Sequence, residues 1–239
     1  MKSPAVNRTL RKISPNPLAK IETFPALDLP GIAHAFTLRA EGVDVATTDK
    51  AEALSRLHDS HLEAVRSLGF EEGSLRTTEQ VHGETIVEVD KSTGTDVIAG
   101  ADGLITGDPG VLLGIYVADC CAVYLVDRHH RGIALLHSGK KGTELGIVPD
   151  AITMMGDKLS IPPSDLIAQL CPCIRPPAYE IDFAAQIRAQ CLSSGIAADQ
   201  IHDPGVCTSH DLDSYYSYRI EKGATGRMLA LLGMKPATA

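Results

Sequence analysis

Apolar side chains recur at helical spacing in four segments of the chain. The clearest is 50–68, where leucine and valine return every three or four residues and Gly69 follows as a stop signal. Shorter patterns of the same kind cover 146–159, 183–192 and 227–232. Each pattern predicts a helix with one apolar face packed on a core.

Strand-like patterns alternate irregularly with these helices. Residues 84–89 alternate in polarity, and 111–127 form a long run rich in valine, leucine and isoleucine. The tripeptide Ala118-Asp119-Cys120 interrupts that run, which predicts two strands with a bend or bulge between them. Short β-like stretches also cover 132–136, 166–170 and 179–182.

The order of these elements predicts an α+β fold rather than a doubly wound one. A doubly wound fold requires regular strand–helix alternation, which this chain lacks. No glycine-rich phosphate loop or dinucleotide fingerprint stands between a strand and a helix. Residues 1–20, whose first part is basic and contains proline, are predicted to form a loosely ordered N-terminal arm. Residues 21–239 are predicted to form a single domain.

Composition and charge restrict the function classes. The chain has 239 residues, of which 44% are hydrophobic and 22% charged, as is usual for a soluble globular protein. Its formal charge of −8 argues against nucleic acid or an anionic membrane as a general partner. No apolar run approaches the ~20 residues of a transmembrane helix, and the start lacks the apolar core of a secretory signal. All six cysteines lie in the second half, which favours reduced thiols in the cytoplasm over a disulfide scaffold.

Three candidate ligands stand at the edges of β-like runs. His82, Cys120 and His137 each lie beside a small residue, which leaves room for a substrate near the backbone. Two histidines and one cysteine are the protein half of a catalytic zinc site, whose fourth position stays open for water. A cysteine–histidine nucleophilic pair without metal uses the same residue types. The spacing of the residues leaves both readings open.

An ordered set of motifs around these residues resembles the multicopper polyphenol oxidase (laccase) domain family, also called the peptidoglycan editing factor family. The resemblance extends over nearly the whole chain after the arm. The matching segments are HAFTLR at 34–39, QVHG at 80–83, ADGLIT at 101–106, ADC at 118–120, HSGKKG at 137–142, CT at 207–208, YSYR at 216–219 and TGR at 225–227.

The resemblance implies mixed sheets in a sandwich-like arrangement flanked by helices, with residues 21–239 as the laccase-like catalytic domain. It implies that His82, Cys120 and His137 are both catalytic and metal-binding. The implied reactions are phosphorolysis of adenosine, inosine and methylthioadenosine, and deamination of adenosine. Zinc is the expected cofactor, and copper is less favoured because a multinuclear copper oxidase needs several histidine pairs that the sequence does not offer.

The same resemblance predicts the binding partners. A nucleoside and phosphate are expected as small-molecule partners, with no nucleic acid and no membrane, and no pattern predicts an oligomeric state. Arg39, Lys141 and Arg219 are the predicted substrate- and phosphate-binding cations.

The chain departs from the family pattern beside the three predicted metal ligands. Lys140 stands where the family has tryptophan, and the chain contains no tryptophan. An aromatic wall for a purine is therefore expected to be missing at that position, at a cost of ~1–3 kcal/mol if the tryptophan stacks on the base. Lys141 replaces arginine, which keeps the charge but loses the planar fork.

Two other functions remain open at the level of sequence. The family's editing-factor name suggests a cysteine–histidine hydrolase acting on peptidoglycan precursors. The altered HSGKKG segment instead suggests a non-catalytic paralogue that binds nucleosides without turning them over.

Overall fold

The computed structural model describes residues 12–13 and 19–236. In this part of the chain, twelve strands form two six-stranded sheets, and four α-helices lie in the connections. The predicted arm, residues 1–20, lies mostly outside the described residues. Of the arm, Lys12–Ile13 is described as a short strand that pairs antiparallel with Ile21–Thr23.

The first sheet has the strand order β1-β2-β3-β12-β7-β4. Its members, given in chain order, are β1 (Lys12–Ile13), β2 (Ile21–Thr23), β3 (Ile32–Thr37), β4 (Leu75–Thr77), β7 (Leu112–Val117) and β12 (Met228–Met234). The pair β4–β7 is parallel and the other pairs are antiparallel. The C-terminal strand β12 therefore occupies the middle of the sheet.

The second sheet has the strand order β11-β10-β8-β9-β6-β5. Its strands are β5 (Ile86–Glu88), β6 (Gly103–Thr106), β8 (Cys121–Asp127), β9 (Ile133–Ser138), β10 (Leu166–Leu170) and β11 (Ile201–His202). Strand β9 of this sheet contacts β7 and β12 of the first sheet. Because the two sheets meet in this way, the predicted α+β fold with mixed sheets in a sandwich-like arrangement is confirmed.

Four helices flank the sheets in the described part of the chain: α1 (Lys50–Ser67), α2 (Lys140–Leu145), α3 (Ile147–Leu159) and α4 (Phe183–Ser193). The predicted helix over 50–68 is α1, which begins where the Asp49 carboxylate accepts hydrogen bonds from the backbone N–H groups of Ala51 and Glu52. It ends before Gly69, whose φ of 79° a residue with a side chain rarely adopts.

Two secondary-structure predictions are wrong. Residues 227–232 were predicted as a helix, but Met228–Met234 form the central strand β12, flanked by β3 and β7. Every residue of that strand is buried, so apolar side chains face both sides of the sheet and periodicity alone does not distinguish it from a helix. Residues 179–182 were predicted as a strand but form no strand, because Asp182 instead caps α4 by accepting a hydrogen bond from Ala185.

The bend predicted at 118–120 is confirmed, and it is the point at which the chain crosses between the two sheets. Strand β7 belongs to the first sheet and β8 to the second, so the chain passes from one sheet to the other through Ala118-Asp119-Cys120. Asp119 takes a φ of 81° at this point. The crossing places Cys120 immediately before β8, where the tripeptide lines a cavity.

Candidate active site

The structure brings together the three predicted ligands. The donor atoms of His82, Cys120 and His137 all lie within 4.8 Å of one another. The two imidazole rings meet edge to face, with centroids 4.8 Å apart. His137 is buried, Cys120 is partly buried and His82 is exposed, so the group has one side open to a ligand.

Strand pairing explains how two of the three residues meet. Strands β8 and β9 are antiparallel, and their register sets Cys121 opposite Ser138 and Ala122 opposite His137. Cys120, immediately before β8, therefore lies beside the end of β9 that carries His137. His82 comes from the loop between β4 and β5 and adopts a φ of 61°.

Asp102 holds the His82 loop and the His137 ring together. Its buried carboxylate accepts hydrogen bonds from the backbone N–H groups of Val81, His82 and Gly83 at 3.1, 2.9 and 2.7 Å. It also bonds His137 Nδ1 at 2.7 Å. A carboxylate on Nδ1 leaves Nε2 as the free ligand atom, as in many histidine–metal sites. Asp102 lies in the ADGLIT segment, but the sequence alone did not indicate this role.

These contacts also shift pKa values in the site. Burial raises the pKa of Asp102, but the hydrogen bonds from His137 and from the N–H groups of Gly83 and His82 outweigh it, so the pKa lies below its ordinary value. Burial also acts to raise the pKa of Cys120, yet the charge of His137 and hydrogen bonds with His137 and His82 bring it down to about 6. A thiol with this pKa is mostly thiolate at neutral pH, which is the form that binds metals.

Asp119 fixes the other side of the site without taking part in it as a ligand. Its carboxylate accepts hydrogen bonds from Thr208 Oγ1 at 2.7 Å, Ser217 Oγ at 3.0 Å and the backbone N–H of Arg219 at 2.7 Å. These bonds tie the segments that carry the CT and YSYR motifs to the crossing between the two sheets. Asp119 is therefore a positioning residue.

A cavity of about 700 Å³ opens over the three ligands. Tyr116, Tyr179, Phe183 and Tyr218 give it aromatic walls. They offer aromatic stacking surfaces elsewhere in the cavity, although position 140 carries lysine instead of tryptophan. The rest of the lining is Thr48, Lys50, Gln80, His82, Ala118, Asp119, Cys120, His137, Lys140, Ile174, Arg219, Lys222 and Arg227.

The predicted phosphate-binding cations have different positions relative to this cavity. Arg219 lines it, forms an ion pair with Glu180 and lies over the Tyr179 ring. Arg39 does not line it, because its guanidinium is paired with Glu221 at 2.9 Å and stacks on Tyr216 at 4.3 Å. Lys141, on the exposed side of α2, does not line it either.

Gly139 is required beside the thiol. A Cβ atom at this position would lie 2.5 Å from Cys120 Sγ, which is shorter than any ordinary contact. We therefore expect Gly139→Ala to displace the thiol from the two histidines and to weaken the binding of added zinc by about 10–100-fold in competition with a chelator. Gly73→Ala is the matched control, since nothing lies within 4 Å of its added methyl group. A Gly139→Ala protein that binds added zinc as tightly as the wild type would contradict this geometry.

The donor set fits a metal ion. His82, Cys120 and His137 offer two imidazoles and a thiol of lowered pKa, and the Asp102 carboxylate orients one imidazole from behind. In the described part of the chain, no other group of three or more such side chains is arranged to hold an ion.

Comparison with known proteins agrees with the motifs. The family model described as multi-copper polyphenol oxidoreductase laccase matches residues 33–186 and 179–235. A purine nucleoside phosphorylase, YlmD, from Geobacillus stearothermophilus is 30% identical over 194 residues, covering 66% of this chain and 71% of the relative. A purine nucleoside phosphorylase from Deinococcus radiodurans is 29% identical over 88% of this chain and 93% of its own.

Solved structures give the same result for the fold. The crystal structure of YlmD from Geobacillus stearothermophilus superposes with a TM-score of 0.83 at 25% identity, covering 91% of this chain and 96% of that one. Within the described residues, no helix combines the length and the apolar character needed to cross a bilayer. Because the family model matches most of this chain, the chain belongs to the multi-copper polyphenol oxidoreductase laccase family.

Proposed function

We propose that the protein is a purine nucleoside phosphorylase that cleaves adenosine, inosine and methylthioadenosine with phosphate. The observation that carries this proposal is the cavity, which joins the His82–Cys120–His137 group to aromatic walls and to several cations. The names of the relatives from Geobacillus and Deinococcus support the same activity.

The aromatic side chains suit the purine base. Tyr179 and Phe183 pack edge to face with ring centroids 5.9 Å apart, so the wall they form is held rigidly. Stacking of a base on an aromatic ring contributes about 1–3 kcal/mol. These residues would therefore orient the nucleoside with its glycosidic bond inside the cavity.

The cations suit the second substrate. In phosphorolysis a phosphate oxygen forms a bond to C1′ of the ribose while the C1′–N9 bond breaks. The bonding electron pair leaves with the purine, which takes up a proton. The products are the free base and ribose 1-phosphate. Lysine and arginine side chains around the cavity would hold the phosphate against C1′ and balance its charge.

Zinc is the metal that we propose for the site, with His82, Cys120 and His137 as its protein ligands. Two imidazoles and a thiolate are typical of catalytic zinc, and no further histidine ligand cluster of the kind a multinuclear copper centre needs lies in the described residues. When bound, the ion would supply a Lewis acid beside the substrate. The role of Asp102 is to hold the His137 ring for that purpose.

Deamination of adenosine is a second proposed reaction of the same cavity. In this reaction water replaces the amino group at C6 and ammonia leaves, with inosine as product. The donor set of the site favours it, because hydrolytic enzymes use the same open His–Cys zinc centres.

A cytoplasmic location belongs to the same proposal, since all six cysteines are free thiols.

Product analysis tests the proposal. Purified protein of measured metal content is incubated with adenosine, with and without phosphate, and the products are separated by chromatography. Without phosphate we expect inosine alone. With phosphate we expect adenine, hypoxanthine and ribose 1-phosphate as well. Nucleoside binding without any product would instead show a non-catalytic paralogue. A metal-free protein that hydrolyses peptidoglycan precursors through Cys120 would contradict the proposal.

A further inference from the structure

Most of the cations in the cavity have no carboxylate partner. Five lysine and arginine side chains line it, and only Arg219 forms an ion pair, with Glu180, among the described residues. Lys50, Lys140, Lys222 and Arg227 form none in this part of the chain. In a protein with a formal charge of −8, such a group of unpaired positive charges is not explained by composition.

Two of these cations, Lys50 and Arg227, are partly buried. Lys50 Nζ donates one hydrogen bond, of 2.7 Å, to the Glu79 carbonyl. One nitrogen of the Arg227 guanidinium donates to the carbonyls of Thr225 and Gly226 at 2.9 and 2.8 Å. An ammonium carries three N–H donors and a guanidinium five, so donors on both side chains are left over.

The two charges also act on each other. Burial is the main cause that lowers the pKa of Lys50, the positive charge of Arg227 lowers it further, and the charges of Asp102 and Glu79 only partly offset these effects. Two like charges in a half-buried cavity repel each other unless an anion lies between them.

No carboxylate of the cavity is free to serve as that anion. Asp119 is the only acidic residue in the described lining, and it already accepts hydrogen bonds from Thr208, Ser217 and Arg219. Asp102, which lies behind the lining, is occupied by three backbone N–H groups and by His137. These carboxylates are therefore held by other donors, and the Cys120 thiolate, whose charge also acts on Arg227, is assigned to the metal, so neither Lys50 nor Arg227 has an anionic partner of its own.

We propose that Lys50 and Arg227 form a binding site for a phosphoryl dianion. The proposal rests on the phosphorylase function and deepens it, because it assigns the phosphate to two residues other than Arg39, Lys141 and Arg219. The Arg227 guanidinium offers a planar fork to two phosphate oxygens, and the Lys50 ammonium offers a point charge. The dianion is either inorganic phosphate or the phosphate group of a nucleotide.

Calorimetric titration of the metal-loaded protein with inorganic phosphate tests this site directly. We expect Lys50→Met and Arg227→Met each to weaken phosphate binding by about tenfold or more, because each removes charge-assisted hydrogen bonds. Arg227→Lys keeps the charge and loses the planar fork, so it is expected to weaken phosphate binding less than Arg227→Met does. It replaces Arg227→Met in the test if that variant fails to fold. Lys158→Met is the control, since Lys158 is exposed, lies outside the cavity lining and pairs with Glu88.

Two further arms identify the source of the phosphoryl group. If inorganic phosphate is the ligand, the KM for phosphate in phosphorolysis rises in the variants and the KM for adenosine stays nearly constant. If a nucleotide is the ligand, adenosine 5′-monophosphate binds more tightly than adenosine to the wild type only. Unchanged phosphate and nucleotide affinity in both variants, or no binding to the wild type, would overturn the site.

The outcome also separates this site from the proposed activity. A wild-type protein that forms no ribose 1-phosphate, but binds phosphate through Lys50 and Arg227, would refute the phosphorylase and keep the anion site. If the wild type is a phosphorylase and its KM for phosphate is unchanged in the Lys50 and Arg227 variants, the proposed activity stands and the proposed phosphate site is refuted.

Discussion

Cys120→Ala is expected to abolish nucleoside turnover while the protein stays folded. The substitution removes the only thiol among the three side chains that converge on the cavity, so the remaining histidines bind a metal far more weakly. We expect kcat/KM for phosphorolysis to fall by about 10³-fold or more, with a melting temperature close to that of the metal-free wild type. Product chromatography measures the first quantity and calorimetry the second.

The neighbouring thiol provides the control. Cys121 is fully buried at the first position of β8, and burial raises its pKa well above the ordinary value. Successive residues of a strand point to opposite sides, so Cys121 faces the core rather than the cavity. Cys121→Ala is expected to keep its activity and to lose about 1–2 kcal/mol of unfolding free energy. Full activity in the Cys120 variant, or equal loss in both, would show that the site is assigned wrongly.

Asp102→Ala is expected to be the most destabilising change in the site. It leaves three backbone N–H groups and the His137 ring without the acceptor that they share in the folded protein. Loss of such a buried charge network costs about 3–5 kcal/mol of unfolding free energy. Metal affinity should also fall by about 10–100-fold, since the ring that presents Nε2 is no longer oriented.

Denaturant unfolding and competition with a chelator measure these two effects. Asp96→Ala is the control, because Asp96 is exposed, and surface substitutions of this kind usually stay within about 0.5 kcal/mol. An Asp102→Ala protein that unfolds at the wild-type denaturant concentration and retains its metal would refute the role given to this carboxylate.

The parts of the fold that follow from local chemistry were predictable from the sequence. The α1 helix has a strong apolar period and a glycine after its end, and the break at 118–120 places polar residues in an apolar run. By contrast, the apolar pattern over 227–232 predicts a helix where β12 lies, because the burial of β12 on both faces depends on β3 and β7, which are distant in sequence.

The candidate site was predictable in its ligands but not in its surroundings. His82, Cys120 and His137 stand in short motifs, so their chemistry is visible one segment at a time. The role of Asp102 as a hydrogen-bond acceptor depends on the fold, because Asp102 lies just before β6 and contacts the distant loop that carries His82. The aromatic walls come from three separate stretches of the chain, at Tyr116, at 179–183 and at Tyr218, that no local pattern connects. Arg39 illustrates the reverse case, since its charge is visible in the sequence and its partner Glu221 is not.

X-ray absorption at the zinc edge, combined with elemental analysis of the purified protein, tests most directly whether His82, Cys120 and His137 share one metal ion. On the proposed function we expect about one zinc ion per chain, with a single sulfur ligand at about 2.3 Å and two imidazole nitrogens at about 2.0–2.1 Å. A metal shell without sulfur, or one with several sulfur ligands from the buried thiols elsewhere in the chain, would contradict this account.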